Sequence, residues 1–325
     1  MISAEHGDNI GDLEEAIAGR IPDSHQDKTA GQNAEKAPIR IALLGKPNTG
    51  KSTLSNRLTS SSASIVSEIP GTTRDVVEGA FVWKKKNFEI LDTAGIRRKT
   101  KVSENIEYYS VNRAIKTIDE ATIVFLIIDA MEGLTDQDKK IAALAHDKGR
   151  GIILVLNKWD TMPAVKNTFE AVKDRIHFLF GQMEYAPIIA VSALHGDGID
   201  KLLNTSLRMH EQLTQQIPTS ALNQALEKWL TEYPPPMGSQ TRFKIRYATQ
   251  TQANPVKFVF FVSRPQAVSE SYIAYLRNRI RRDLGFSLIP VTIELRKSAK
   301  TPAGNSADKR KDTASTKRGA RRKQR

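Results

Sequence analysis

The sequence predicts an α/β protein: a mostly parallel β-sheet with helices on both faces, followed by a smaller α+β unit and a basic tail without structure. Three observations carry this prediction. Short apolar runs alternate with helical patterns over residues 38–216. The alternation is lost beyond about Gln216, where the order becomes helix, strand, strand, helix, strand. From Arg296 onward there are twelve Lys or Arg, two Asp and no aromatic residue, so that segment has no means to offset its ordering entropy by burial.

In chain order, the strand candidates of the larger unit are "IRIALLG", "VVEGAFVW", "FEILD", "ATIVFLIID", "GIILVLN" and "PIIAVSA". Runs this continuously apolar suit strands covered on both faces, as in parallel sheets. "VVEGAFVWKKKNFEILD" departs from the scheme, because its short polar link implies one antiparallel hairpin. "DQDKKIAALAHDKG" and "TFEAVKDRIHFLF" supply the helical periods.

In the smaller unit the spacing predicts a helix over Ser220 to Thr231, a break at "YPPPMGS", and strands over Arg242 to Ala248 and Val256 to Val262. A helix over Glu270 to Leu284 and a strand over Ile289 to Leu295 complete it. The second helix puts Ile273, Leu276, Ile280 and Leu284 on one side and Arg277, Arg281 and Arg282 elsewhere.

A chain of 325 residues is long enough for two domains. It has no cysteine, which excludes disulfides and thiolate-ligated metals and fits a reducing compartment. The longest apolar run, Ala121 to Ile128, is too short for a membrane helix, so a cytoplasmic protein without a membrane partner is expected. Most of the net charge of +13 lies in the tail, which points to a polyanionic partner.

"GKPNTGKS" directly follows a strand and opens a helix. In that context its glycines let backbone amides turn inward around phosphate oxygens at a positive helix terminus. The expected phosphate-binding residues are Gly45, Lys46, Pro47, Asn48, Thr49, Gly50, Lys51 and Ser52, with Lys51 reaching the β and γ phosphates and Ser52 the magnesium. "ILDTAG" ends a buried strand; Asp92 is expected to hold the magnesium shell, and Thr93, Ala94, Gly95 and Ile96 to lie along the phosphates, with the Gly95 amide on the γ phosphate. In "IPGTTRD", Thr73, or alternatively Thr72, is the hydroxyl expected to reach magnesium when that phosphate is present.

"NKWD" comprises Asn157, Lys158, Trp159 and Asp160. A carboxylate at Asp160 accepts the N1 proton and the exocyclic amine of guanine, whereas adenine would leave it unpaired, a discrimination of about ten-thousandfold. The stem of Lys158 is expected on the base, and Asn157 as a tie to neighbouring backbone. "SAL", Ser192, Ala193 and Leu194, is expected to offer the Ala193 amide to the guanine carbonyl.

These motifs, in this order, resemble the translation-factor-related small GTPases. "GKPNTGKS", "PGTTRD", "DTAGIRRK" and "DAMEGLTDQD", with the α-β-β-α-β unit behind them, are similar to the second half of the double-GTPase ribosome-assembly family EngA, also called Der. The resemblance implies a P-loop GTPase domain over 38–216, a KH-like domain over 217–297 and a disordered basic tail over 298–325. "ISAEHGDNIGDLEEAI", at residues 2–17, matches "VSALHGDGIDKLLNTS" at seven of sixteen positions. Residues 1–19 are thus expected to be the remnant of an upstream G domain, unable to bind nucleotide alone, with a linker over 20–37. A misassigned start, a fragment, a truncated gene product and a coincidental helix cap all remain open readings of that string.

The expected activity is hydrolysis of GTP to GDP and phosphate by a monomer, as a conformational switch in large ribosomal subunit assembly. Lys51, Thr73 and Gly95 are its expected catalytic groups. Where Ras-like GTPases carry a water-orienting glutamine, this chain has Ile96, so rate enhancement must come from electrostatics at the phosphates. Asn48 resembles the potassium-coordinating asparagine of such GTPases and makes potassium an expected cofactor beside GTP/GDP and magnesium. Arg97 and Arg98 are expected at a partner or in solvent rather than as fingers in cis.

The expected partners are the large subunit and its ribosomal RNA, met by the Arg-bearing helix and the tail, since "YPPPMGS" has no Gly-x-x-Gly pair. The competing readings are a GTP/GDP-responsive RNA-binding scaffold with little turnover and a non-functional fragment.

Overall fold

A computed structural model of the chain describes residues 37–61, 77–91, 114–236 and 242–298. The first sheet has six strands: β1 (Ile39–Leu44), β2 (Val77–Trp83), β3 (Lys86–Leu91), β4 (Ile123–Asp129), β5 (Gly151–Asn157) and β6 (Ile188–Ala190). Their spatial order is β2-β3-β1-β4-β5-β6. All pairings are parallel except the β2–β3 hairpin, as the polar link predicts.

Continuous apolar runs fit because both faces are covered. Ile41, Leu43, Ile123, Phe125, Ile127, Ile153 and Val155 enter one core, and Ala42, Leu44, Val124, Leu126, Ile128, Leu154 and Leu156 the other. Successive strand residues point to opposite faces, so the two cores are read off alternate positions. Helix α1 (Lys51–Ser61) buries Leu54 and Leu58 in the first core; α2 (Asp136–Asp147) and α3 (Thr168–Leu179) cover the second. Helix α4 (Ile199–Thr214) returns to the first face through Leu202, Leu203, Met209 and Leu213. A helical stretch over 114–120 precedes β4.

The second sheet comprises β7 (Ile245–Gln252), β8 (Lys257–Val262) and β9 (Thr292–Lys297), with β7–β8 antiparallel and β8–β9 parallel. Helices α5 (Thr219–Glu232) and α6 (Glu270–Asp283) pack on one face, around Trp229, Phe258, Phe260 and Phe286. The order is the expected α-β-β-α-β.

Two strand starts differ from expectation. β9 begins at Thr292 rather than Ile289 because Pro290 has no amide to give a ladder. β7 begins at Ile245 rather than Arg242, since the Lys244 amide bonds the Ser263 hydroxyl (2.9 Å) instead of a strand carbonyl.

Arg281, read as lying away from the buried side of α6, is not a plain solvated residue. Its guanidinium lies 4.5 Å from the ring centroid of Tyr185, in the segment before β6, and its position is only half exposed.

Candidate functional site

The parallel strands β1, β4, β5 and β6 end at the same edge of the sheet, so the segments after them converge there. The segment after β1 is the glycine-rich loop. Gly45 has φ 144°, and a Cβ there would lie 2.2 Å from the Ile127 carbonyl oxygen of β4; only glycine lets the chain turn this close to the neighbouring strand. Gly50 has φ 93°, and a Cβ would lie 2.2 Å from Asn157 Nδ2. The Leu54 amide closes the first helical turn onto the Gly50 carbonyl at 2.9 Å.

Within the loop, Thr49 Oγ1 donates to the Lys46 carbonyl (2.9 Å), and the Lys51 ammonium donates to the carbonyls of Gly45 (2.9 Å) and Lys46. The lysine is thus held over the loop as a centred positive charge. Asn48 takes a left-handed φ of 65°, and both it and Ser52 are exposed. Lys46 makes a surface ion pair with Glu132 at 3.5 Å.

Asn157, at the end of β5, is 2 % exposed and spans two loops. Its Nδ2 donates to the Thr49 carbonyl (2.8 Å), and its Oδ1 accepts from the Ala193 amide (3.0 Å). The expected tie to neighbouring backbone is therefore present. The same bond directs the Ala193 amide, the expected donor to the guanine carbonyl, at Asn157.

Lys158 adopts φ 60° and its ammonium reaches Asp129 Oδ2, at the end of β4, at 2.7 Å. Burial works to raise the Asp129 carboxyl, but the Lys158 ammonium and the Met131 and Glu132 amides outweigh it and leave it below its ordinary value. The carboxyl of Asp160 is also lowered, chiefly by the Ser192 hydroxyl, with His195 Nε2 3.9 Å away. Trp159 is fixed by its amide on the Val191 carbonyl (3.0 Å) and by edge contact with Phe169.

Thus Gly45 to Ser52, Asn157 to Asp160 and Ser192 to Leu194 converge on one sheet edge. Asp92, Thr93, Ala94, Gly95, Ile96, Thr72, Thr73, Arg97 and Arg98 lie outside the described residues, as do most of the linker, the opening string and the tail beyond Ser298. An open cavity of about 570 Å³ lies beside Asp160, lined by Trp159, Met162, Val165 and Phe169 among others. It shares Trp159 and Asp160 with the convergence of loops but includes neither the glycine-rich loop nor residues 192–194.

Sequence reasoning missed two residues. Asp129 was legible in kind, as an acid ending an apolar strand at the functional edge. Arg57, whose Nε donates to the Ala193 carbonyl at 3.1 Å and whose Nη2 donates to the Leu194 carbonyl, had no signal: it is one cation in a helix.

A six-stranded, mostly parallel sheet with a strand–glycine-loop–helix unit and an Asn-Lys-x-Asp segment at its carboxyl edge is the fold of a P-loop GTPase. Residues 40–158 match the family model described as a 50S ribosome-binding GTPase, and residues 216–296 match the KH-domain-like region of EngA bacterial GTPase enzymes, C-terminal. The protein named GTPase Der of Treponema pallidum subsp. pallidum is 41% identical over 299 residues, 92% of this chain and 64% of the relative. That of Caldanaerobacter subterraneus subsp. tengcongensis is 40% identical over 296 residues, 91% of this chain and 66% of the relative.

Among solved structures, Era of Aquifex aeolicus bound to GDP and aluminium fluoride is 26% identical, with a TM-score of 0.41, covering 79% of this chain and 91% of that one. The chain belongs to the EngA (Der) GTPase family, with a KH-like domain behind the P-loop GTPase fold. It spans slightly less than two thirds of the length of these two curated relatives.

Proposed function

We propose that the chain binds GTP and GDP with magnesium through the loops at residues 45–52, 92–96, 157–160 and 192–194. We further propose that it hydrolyses GTP as a conformational switch in large ribosomal subunit assembly. The observation that supports this most is Asn157: one buried side chain bonds both the loop suited to phosphate and the loop suited to the base, holding them in a single frame.

The chemistry of the described residues fits the nucleotide. Lys51 sits against neutral carbonyls that a phosphate oxygen can outcompete as partners for an ammonium. Asp160, with its carboxyl lowered, is ionised at neutral pH and ready to accept two guanine protons. The Lys158–Asp129 pair holds the lysine stem across the sheet edge, where a base can lie on it.

Among the described residues no three His, Cys, Asp or Glu gather to hold a metal. Ser52, exposed on the loop, is the proposed magnesium ligand, with Thr73 and Asp92 as the proposed further ligands. Magnesium, when bound, neutralises charge on the β and γ oxygens. Asn48, an exposed residue of the loop, is the proposed potassium ligand.

The proposal includes a monomer in the cytoplasm, a nucleotide domain over 38–216 and a KH-like domain over 217–297 that meets ribosomal RNA together with the basic tail. The family's ribosomal association supports the RNA partner, and the polyanion would be held through phosphate contacts.

Phosphate release by the purified full chain tests the reading, with GTP or ATP in potassium or sodium chloride. Release from GTP alone, faster in potassium, is expected. Indifference to the purine would overturn guanine selection, and equal rates in the two salts would remove potassium only. GTP binding without phosphate release would favour the scaffold. Binding to large-subunit ribosomal RNA should weaken steeply with salt; a flat salt response would count against the phosphate contacts.

A further inference from the structure

Helix α1 starts at the phosphate loop, and its second turn reaches the far loop of the site. Arg57 stands three residues after buried Leu54 and one before buried Leu58, at the edge of the helix stripe that enters the core. Its guanidinium donates to two consecutive carbonyls, Ala193 through Nε at 3.1 Å and Leu194 through Nη2. The side chain also lies along Gly196, where a Cβ would come 3.9 Å from Arg57 Cδ, Nε and Cζ.

A trans peptide directs its N–H opposite to its C=O. Turning the Ala193 and Leu194 carbonyls toward α1 therefore turns the amides of Leu194 and His195 the other way. The His195 amide donates to the Ser192 hydroxyl oxygen at 3.2 Å. The Ser192 hydroxyl in turn bonds the Asp160 carboxylate and is the main influence lowering it. With the Ala193 amide directed at Asn157, the Leu194 amide is the next one along the loop and is turned away from the helix.

We infer that Arg57 is a positioning residue for purine recognition. It fixes the two peptides that aim the Leu194 amide at the base carbonyl and, through His195 and Ser192, hold Asp160 in its base-reading orientation. The inference rests on the proposed guanine site. It moves the proposed donor from Ala193 to Leu194 and adds a residue outside every motif. A guanidinium presents its N–H donors in a fixed planar fork, whereas an ammonium is a point charge on a flexible stem, so an arginine sets the direction of both peptides more firmly than a lysine at the same position would.

The test is calorimetric binding of GDP, ADP and inorganic pyrophosphate to the full chain, to Arg57→Ala and to Arg57→Lys. Pyrophosphate reports the phosphate loop without the base. Arg57→Ala should weaken GDP by about tenfold or more, the loss of one to two charge-assisted bonds, and leave pyrophosphate binding within about twofold. Its preference for GDP over ADP should shrink accordingly. Arg57→Lys, which keeps the packing stem, should recover only part of the loss, and it carries the test alone if the alanine variant does not fold.

Equal losses for GDP and pyrophosphate would mean a general disturbance of α1 and would overturn the inference. So would unchanged GDP preference in Arg57→Ala, or full recovery in Arg57→Lys. A parent chain that itself shows no preference for GDP over ADP would sink the guanine site rather than Arg57's part in it.

Discussion

The loops at the carboxyl edge of the first sheet and the C-terminal unit hold themselves together with a different balance of contacts. In the loops, single polar side chains bridge segments far apart in sequence: Asn157 to Thr49 and Ala193, Arg57 to residues 193 and 194, Lys158 to Asp129. In the C-terminal unit polar bridges such as Asn223 on the Ala248 amide and carbonyl are joined by a set of aromatic contacts. Phe243 meets Tyr272 edge-on, Phe258 meets Phe286, and Tyr233 packs on Tyr272 and Tyr275. A polar bridge defines a direction and little area; aromatic packing defines area and only a loose direction. Loss of a bridge should therefore be felt first in ligand discrimination, and loss of packing first in stability.

The sharpest break of that contrast is at Trp229, buried to 1 % on α5, with its indole N–H on Asp283 Oδ2 at 2.8 Å. Trp229→Ala should cost about 3–5 kcal/mol in denaturant unfolding, through a cavity and a lost donor. GDP affinity of the fraction still folded should stay near that of the parent. Trp229→Phe separates the two causes. It keeps most of the ring and removes the bond, and because Asp283 retains Arg279 at 3.4 Å the cost should fall to about 1 kcal/mol. A denaturant titration followed by circular dichroism reads both variants, and equal costs would mean that the hydrogen bond outweighs the packing.

Gly50→Ala probes the other region and should cost less stability for more function. The new methyl meets Asn157 Nδ2 and the residue must hold a positive φ, together about 1–3 kcal/mol. Because the displaced amide is the one that bridges the phosphate loop to residue 193, GDP binding should be lost almost entirely. A variant that binds GDP normally while melting early would erase the distinction between the regions.

The same contrast governs what could be read from sequence. The sheet, its hairpin and the α-β-β-α-β order were legible because burial on two faces writes itself as continuous apolar runs, and the hairpin as a polar link. The phosphate loop and the Asn-Lys-x-Asp segment were legible because local spacing carries their chemistry. Arg57 was not, since its role depends on a contact 136 residues away, and nothing near it in the chain marks it. The destination of the Ala193 amide escaped for the same reason: Asn157 could be assigned a backbone partner in kind, but which amide it takes is set by how closely β5 and the segment after β6 approach. Pro290 was visible, and its missing amide should have moved the start of β9.

The smallest expected effect lies where the two regions meet. His146, in the last turn of α2, has its Nδ1 2.8 Å from the Tyr185 hydroxyl, and the Tyr185 ring lies under Arg281 of α6. Burial lowers the His146 imidazole below its ordinary 6.5. Asp147 on the same helix opposes the shift, and Arg281 and Arg277 from α6 add to it. The unfolded chain thus takes up a proton more readily than the folded one. The contribution of His146 is complete above pH 6.5 and is lost as the pH falls toward the lowered value. Thermal melts of the full chain should accordingly drop on acidification through this window, and His146→Gln, which cannot titrate, should flatten the drop. His210, also lowered by burial and then by Lys86, leaves a residual slope of the same sign in the variant. Parallel pH profiles for the parent and His146→Gln would show that the meeting of α2 and α6 does not depend on a neutral imidazole.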